Sequence, residues 1–271
     1  MTDSKNTQVA KKFKILLIGD SCEDEYYIGS CDRLSPEAPV PVLKIQEHFT
    51  APGMSANVKK NLQVLEQRVD FLTNTATIKK IRYIDKRSGQ HLLRVDDESN
   101  KITPWDNNLP ILFLGGKKDM YHFYDAVVIS DYNKGFLSYE HIEEIIRDFK
   151  CPVFIDTKKR DLKRFEGAII KINLHEFNNL TSTPDNMKGL IVTNGENGAM
   201  HESVHYPAEK VEVSDVCGAG DTFLAWLAYG YLDYKGDMPR AIQLAIRAAS
   251  VSVKHRGNYS PKLEEVLENN A

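Results

Sequence analysis

Six short apolar runs, at residues 13–18, 69–72, 126–130, 153–156, 168–172 and 190–193, each end at a polar residue or a glycine, and helical patterns such as 138–149 fall between several of them. Strands that are apolar along their whole length need cover on both faces, which is the condition of a parallel sheet between two layers of helix. The chain is therefore read as α/β, with a doubly wound, mainly parallel sheet flanked by helices. In such sheets ligands sit beyond the carboxyl ends of the strands, where Asp20, Asp131, Asn173 and Asn194 fall. Residues 25–48 and 77–97 have another texture, alternating strands with no helix between them, and read as a small separate β layer.

The densest chemistry is at Asp215-Val216-Cys217-Gly218-Ala219-Gly220-Asp221-Thr222-Phe223, which runs straight into the apolar helical stretch 224–232. Gly218 and Gly220 let the backbone approach a ligand, so the amides of Ala219, Gly220 and Asp221 and the helix N-terminus can converge on an anion. Asp221 stands at the same mouth, where a carboxylate can take the proton of a hydroxyl that attacks phosphorus. One loop thus offers an anion hole and a base. The plainer alternative is a flexible turn with an Asp near a helix start.

Length and charge narrow the class. At 271 residues with 42% hydrophobic side chains the chain can bury the core of one large domain, residues 1–271, with the β layer inserted in it. A net charge of −3 supplies no basic field for nucleic acid or an anionic membrane surface. Residues 1–12 lack the apolar stretch of a signal peptide, and no run approaches a membrane span. Cys22, Cys31, Cys151 and Cys217 have no metal-ligand spacing, which suggests reduced thiols and a cytoplasmic location.

Asp-x-x-Gly-Ala-Gly-Asp ahead of a helix resembles the signature of the ribokinase-like (PfkB) carbohydrate kinases. Arg33-Leu34-Ser35-Pro36-Glu37-Ala38-Pro39-Val40-Pro41-Val42 is similar to the matching segment in the kinase domain of bacterial D-glycero-beta-D-manno-heptose 7-phosphate kinases, which serve ADP-heptose synthesis. Further matches follow in order: Ile18-Gly19-Asp20, Pro52-Gly53 with Ala56-Asn57-Val58, Gln90-His91-Leu92-Leu93-Arg94-Val95-Asp96, Ser130-Asp131-Tyr132-Asn133-Lys134-Gly135 and Asn173-Leu174-His175-Glu176. The similarity covers roughly residues 13–266.

That resemblance implies an ATP- and Mg²⁺-dependent kinase of a sugar or sugar phosphate, and a homodimer formed through a β lid made by the two alternating regions. Asp20 would hold sugar hydroxyls, or else cap a turn; Gly53 and Asn57 match part of the sugar-binding turn. Lys80, Arg82 and Arg94 stand where the heptose kinases have basic residues that grip a phosphate, the alternative being a solvated strand face. Asn173 and Glu176 match Asn-x-x-Glu, associated with Mg²⁺ held through water by Glu176, although an N-cap with an early Glu has the same spacing. Thr193, Asn194, Gly195 and Gly198 look like the adenine-side turn. Lys158 and Lys159 are either phosphate ligands or surface charges.

Departures from the family pattern are expected to matter. Met54 replaces a glycine where backbone should approach the sugar, so its side chain is expected either to narrow that pocket or to change its substrate. Ile246 stands where a nucleotide-side Asn is expected, and Cys217 where Thr is usual, either as a filler or as an oxidation-sensitive thiol. Segments are missing after 69–72 and between 178 and 189. The adenylyltransferase domain fused to some heptose kinases is expected on another protein. A kinase of another sugar or a nucleoside, or a catalytically silent binding relative, remains open at this point.

Overall fold

The computed structural model describes residues 11–106 and 123–268. Its main sheet has eight strands: β1 (Lys14–Gly19), β4 (Arg68–Thr73), β7 (Ala126–Asp131), β8 (Val153–Thr157), β9 (Ile169–Asn173), β10 (Leu190–Thr193), β11 (Ala199–His201) and β12 (Val204–Tyr206), in the order β12-β11-β10-β9-β8-β7-β1-β4. The six strands from β4 to β10 in that order are mutually parallel, and β11 and β12 add antiparallel at one edge. All six apolar runs of the sequence are strands. The β11–β12 hairpin is not foreshadowed, because strands of three residues are too short to show a period.

Alternate side chains of β1 feed two cores. Ile15 and Leu17 join Val128, Phe154, Trp226 and Ile242 on one face. Leu16 and Ile18 join Val127, Ile129, Ile155 and Phe165 on the other. The helices α1 (Ser55–Val64), α2 (Tyr139–Asp148), α3 (Leu174–Asn178), α4 (Ala219–Asp233), α5 (Met238–Ser252) and α6 (Leu263–Glu268) complete the layers. In α2 a capping box holds the start: Ser138 Oγ accepts from the His141 amide and His141 Nδ1 from the Ser138 amide, both at 3.2 Å. Helix α4 is apolar almost all round and buries an unbroken run from Asp221 to Gly230, so it lies inside the molecule with its N-terminus aimed at the carboxyl ends of the strands.

The second sheet runs β3 (Lys44–Met54), β2 (Ser21–Ser30), β5 (Lys79–Asp85), β6 (His91–Asp97). Residues 31–43, read from sequence as part of an alternating strand region, are instead a loop pinned by a single bridge between Leu34 and Pro41. Pro36, Pro39 and Pro41 remove the amide donors a ladder requires. Tyr26 and Ile28 are buried in a small core of the second sheet with Ile84 and Ala51, whereas Ile45, Phe49, Leu93 and Val95 carry the exposure. Only five residues separate β4 from β5, and α3 is a single short helix before β10, so both contractions fall in connections and leave the strand order intact.

Candidate active site

Gly218 caps α4 in the left-handed region, with φ 75°. A Cβ there would lie 2.5 Å from Asn57 Nδ2 and 2.8 Å from Asn258 Oδ1, so the turn admits only glycine. The approach to it is fixed by Asp215, whose carboxylate accepts from the amides of Cys217 at 2.9 Å and Gly257 at 3.0 Å. Asp221, in the first turn of α4, is 4% exposed. Its Oδ1 accepts from the Tyr132 hydroxyl at 2.8 Å and its Oδ2 from Asn57 Nδ2 at 3.1 Å. Burial pushes its carboxyl up to about 6, partly offset by these two donors. The Ala219 amide, expected in the anion hole, instead donates to the Val216 carbonyl at 3.3 Å, which leaves the amides of Gly220 and Asp221 for that role. A carboxylate held on both oxygens, with that affinity for a proton, can serve as a general base near neutral pH.

Asp20 follows β1 and is buried. Its Oδ2 accepts from the amides of Tyr132 at 2.8 Å and Lys134 at 3.2 Å, while Oδ1 is buried without a protein partner among the described residues. Burial, then repulsion from Asp131, raises its carboxyl above the usual range. A buried acceptor left open in this way suits a ligand hydroxyl. Tyr132 joins the two carboxylates: its amide holds Asp20, its hydroxyl holds Asp221, and its ring lies 4.9 Å from the Lys80 ammonium and 5.3 Å from that of Lys158. Sequence reading passed over it, although it lies inside a quoted match.

Gly53 is held by space: a Cβ there would meet Asp24 Oδ2 at 2.2 Å and Cys22 Sγ at 2.5 Å. Met54 does not narrow a ligand pocket as expected. Its backbone adopts φ 55°, ψ −133°, a conformation glycine takes freely, and its side chain turns into the core with Ile18, Cys22 and Ile78. The three lid cations are not brought together. Arg82 is buried and its guanidinium donates to Asp24 at 2.6 Å. Asp24 in turn accepts from Asn258 Nδ2 at 2.6 Å, and that amide also donates to the Pro52 carbonyl at 2.8 Å. Arg94 is half-exposed on β6 and grips Asp96 with two bonds of 2.7 and 2.8 Å. Only Lys80 leans toward Tyr132. Burial pushes the Cys217 thiol up to about 11, so it is a protonated filler of the turn rather than an oxidation-sensitive thiolate.

A cavity of about 790 Å³ opens on the other side of α4. Lys158, Asn173, Thr193, Gly195, Gly198, Ala219 and Gly220 all line it, as the sequence led one to expect. Val211, Val213, Phe223, Ile246 and Val253 form an apolar wall, Ile246 among them where an Asn was expected. Asn194 only closes the turn, its amide donating to the Gly198 carbonyl at 2.7 Å. Asn173 and Glu176 form a reciprocal capping box at the start of α3, with both bonds at 2.8 Å, and Glu176 also holds the Lys158 ammonium. A single carboxylate already shared with an amide and an ammonium offers magnesium no direct cage, and would fit the ion only through the ion's own waters. Among the described residues no three His, Cys, Asp or Glu side chains cluster as a metal cage. Lys159 is neither phosphate ligand nor surface charge: it is buried against Asp131 at 3.1 Å. Lys171 and Asp156, paired at 2.6 Å in the cavity wall, were missed, although a lysine inside the apolar run 168–172 is a visible irregularity.

Strand order, the buried α4 and the carboxylate at its N-terminus beside the cavity are those of a ribokinase-like fold. A ribokinase from Arabidopsis thaliana, solved with ribose and ATP, superposes with a TM-score of 0.67 at 13% identity, covering 95% of this chain and 98% of that one. The model of the pfkB family carbohydrate kinases matches residues 118–265, and the chain belongs to this family of ATP-dependent sugar kinases. It is 31% identical to the bifunctional protein HldE of Actinobacillus succinogenes over 307 residues and 34% identical to that of Nitratiruptor over 306. These alignments cover 94% and 95% of this chain but 63% and 65% of the relatives. Both alignments are longer than the chain itself, so the relatives carry internal segments that this chain lacks.

Proposed function

We propose that this chain transfers the terminal phosphoryl group of ATP to the anomeric hydroxyl of D-glycero-beta-D-manno-heptose 7-phosphate, giving the 1,7-bisphosphate. The observation that carries the reading is Asp221, clamped by Tyr132 and Asn57 at the N-terminus of α4. The acceptor oxygen bonds to the γ-phosphorus as Asp221 takes its proton. The bond from phosphorus to the bridging oxygen breaks, and its electron pair leaves on ADP. The amides of Gly220 and Asp221 meet the charge on the transferring group. Asp20 orients the sugar through its open Oδ1. Glu176 would hold Mg²⁺ through water, and the bound ion would supply charge neutralisation to the nucleotide phosphates. The choice of a heptose phosphate rests on residues 33–42 and on the likeness to HldE.

One observation favours a second reading within the class. Arg82 and Arg94 are both committed to carboxylates, which leaves Lys80 as the lid cation aimed at the cleft and suits an acceptor with a smaller phosphate demand, such as another sugar or a nucleoside. The protein works as a homodimer joined through the second sheet, in the cytoplasm where ATP and reduced thiols are found.

Coupled ADP release with Mg²⁺-ATP, across heptose 7-phosphate, hexose phosphates, free sugars and nucleosides, tests both readings. Turnover with the heptose phosphate alone is expected, and Asp221→Asn should lower it by at least ~10²-fold while ATP still binds. Preference for another acceptor moves the substrate, and a fully active Asp221→Asn variant ends the mechanism.

A further inference from the structure

Lys171 is a buried lysine on an interior strand, and the roles assigned above leave it unused. It sits opposite Asp156 in the register of β8 and β9, so the two side chains rise from neighbouring strands on the same face. Both are at most 5% exposed. The ammonium lies 2.6 Å from Asp156 Oδ2 and 3.5 Å from the Gly220 carbonyl oxygen. A Cβ placed on Gly220 would lie 3.0 Å from that nitrogen, so the cation rests against the α-carbon of the residue whose amide belongs to the anion hole. Both residues of the pair line the nucleotide-side cavity, and Asp156 Oδ1 is buried there without a hydrogen-bond partner. An ammonium has three donors, and two of them are accounted for.

We propose that Lys171 is a further catalytic residue: its ammonium contacts the terminal phosphate of the bound nucleotide from beneath the glycine turn and offsets the charge spread over the phosphoryl group during transfer. Asp156 is its positioning residue, holding the cation in place while one donor stays open to the cavity. The bonds made and broken are those already given, with the proton still going to Asp221. Lys171 changes only how strongly the phosphoryl oxygens are held. Because the ammonium is fixed by the fold, it needs no reorganisation as the charge moves, which is the condition under which such a contact acts most strongly. The inference rests on the kinase reading for which phosphate Lys171 meets, and on the geometry alone for its being a phosphate contact.

The alternative is a structural pair in which Lys171 merely neutralises Asp156. Three variants separate the two: Lys171→Met, Asp156→Asn, and the double variant, in which neither charge remains. Kinetics with the best acceptor are read together with calorimetric affinity for ATP and for adenosine. We expect Lys171→Met to lower kcat by about 10²-fold and to weaken ATP binding about tenfold, with adenosine binding unchanged. The double variant is expected to fold at least as well and to stay as slow. Recovery of the double variant to within about threefold of the parent would show that the lysine only balances a carboxylate, and would overturn the proposal. If Lys171→Met does not fold, the double variant decides alone. If no acceptor is turned over by the parent protein, the kinase reading fails separately, and the ratio of ATP to adenosine affinity still tests Lys171.

Discussion

Asp221 ties its surroundings to a measurable pH dependence. Its carboxyl is raised to about 6, first by burial, and only the deprotonated form can accept the acceptor's proton. The kcat/KM profile is therefore expected to fall below about pH 6, and a flat profile down to pH 5 would contradict the assignment. Tyr132 donates to the carboxylate and so favours its charged form. Replacing it with Phe removes that donor, and the acid limb of the profile should move to higher pH. A structural loss alone would lower the rate without moving the limb. How much of this was readable in the sequence differs residue by residue. Asp221 and its glycines announce themselves because a tight turn and a charge share one short segment. Tyr132 and Lys171 do not, since their roles depend on partners 89 and 49 residues away.

Among the elements, the six parallel strands were legible because burial on both faces writes an uninterrupted apolar run into each. The second sheet was legible only as a texture, and its two lid arginines were misjudged for a physical reason. A strand shows which side chains alternate, but not that Asp24 on β2 lies beside Arg82 on β5. That pair is 6–7% exposed on both sides, so it behaves as a buried ion pair rather than a phosphate clamp. Replacing Arg82 with Ala strands the Asp24 charge and should cost about 3–5 kcal/mol of stability, read by denaturant unfolding. A selective rise in KM for a phosphorylated sugar, at unchanged stability, would instead restore Arg82 to the substrate. Met54 is a second case: the family position asks for glycine's backbone, and the chain keeps that conformation with a side chain that fills the core.

At the scale of the molecule, β6 presents Leu93 and Val95 to solvent, 56% and 38% exposed, on the face of the second sheet that carries Tyr27 and Tyr83, while Phe49 lies on the opposite face, stacked on Tyr26. Such a patch on a sheet invites a second copy of itself. Light scattering is expected to give a dimer, and Leu93→Glu should shift it to monomer; a monomeric parent protein would remove the dimer from the reading. Among the described residues no helix is long and apolar enough to cross a membrane.

The bond from Asn258 to Asp24 spans 234 residues of sequence and fastens the second sheet to the segment that follows α5. On the ribosome, the second sheet is made long before the amide that secures it. Until then Asp24 has Arg82 but lacks its third member, and the strands around Gly53 stay unlatched. The latch between the second sheet and the segment after α5 can therefore close only once nearly all of the described chain has been made.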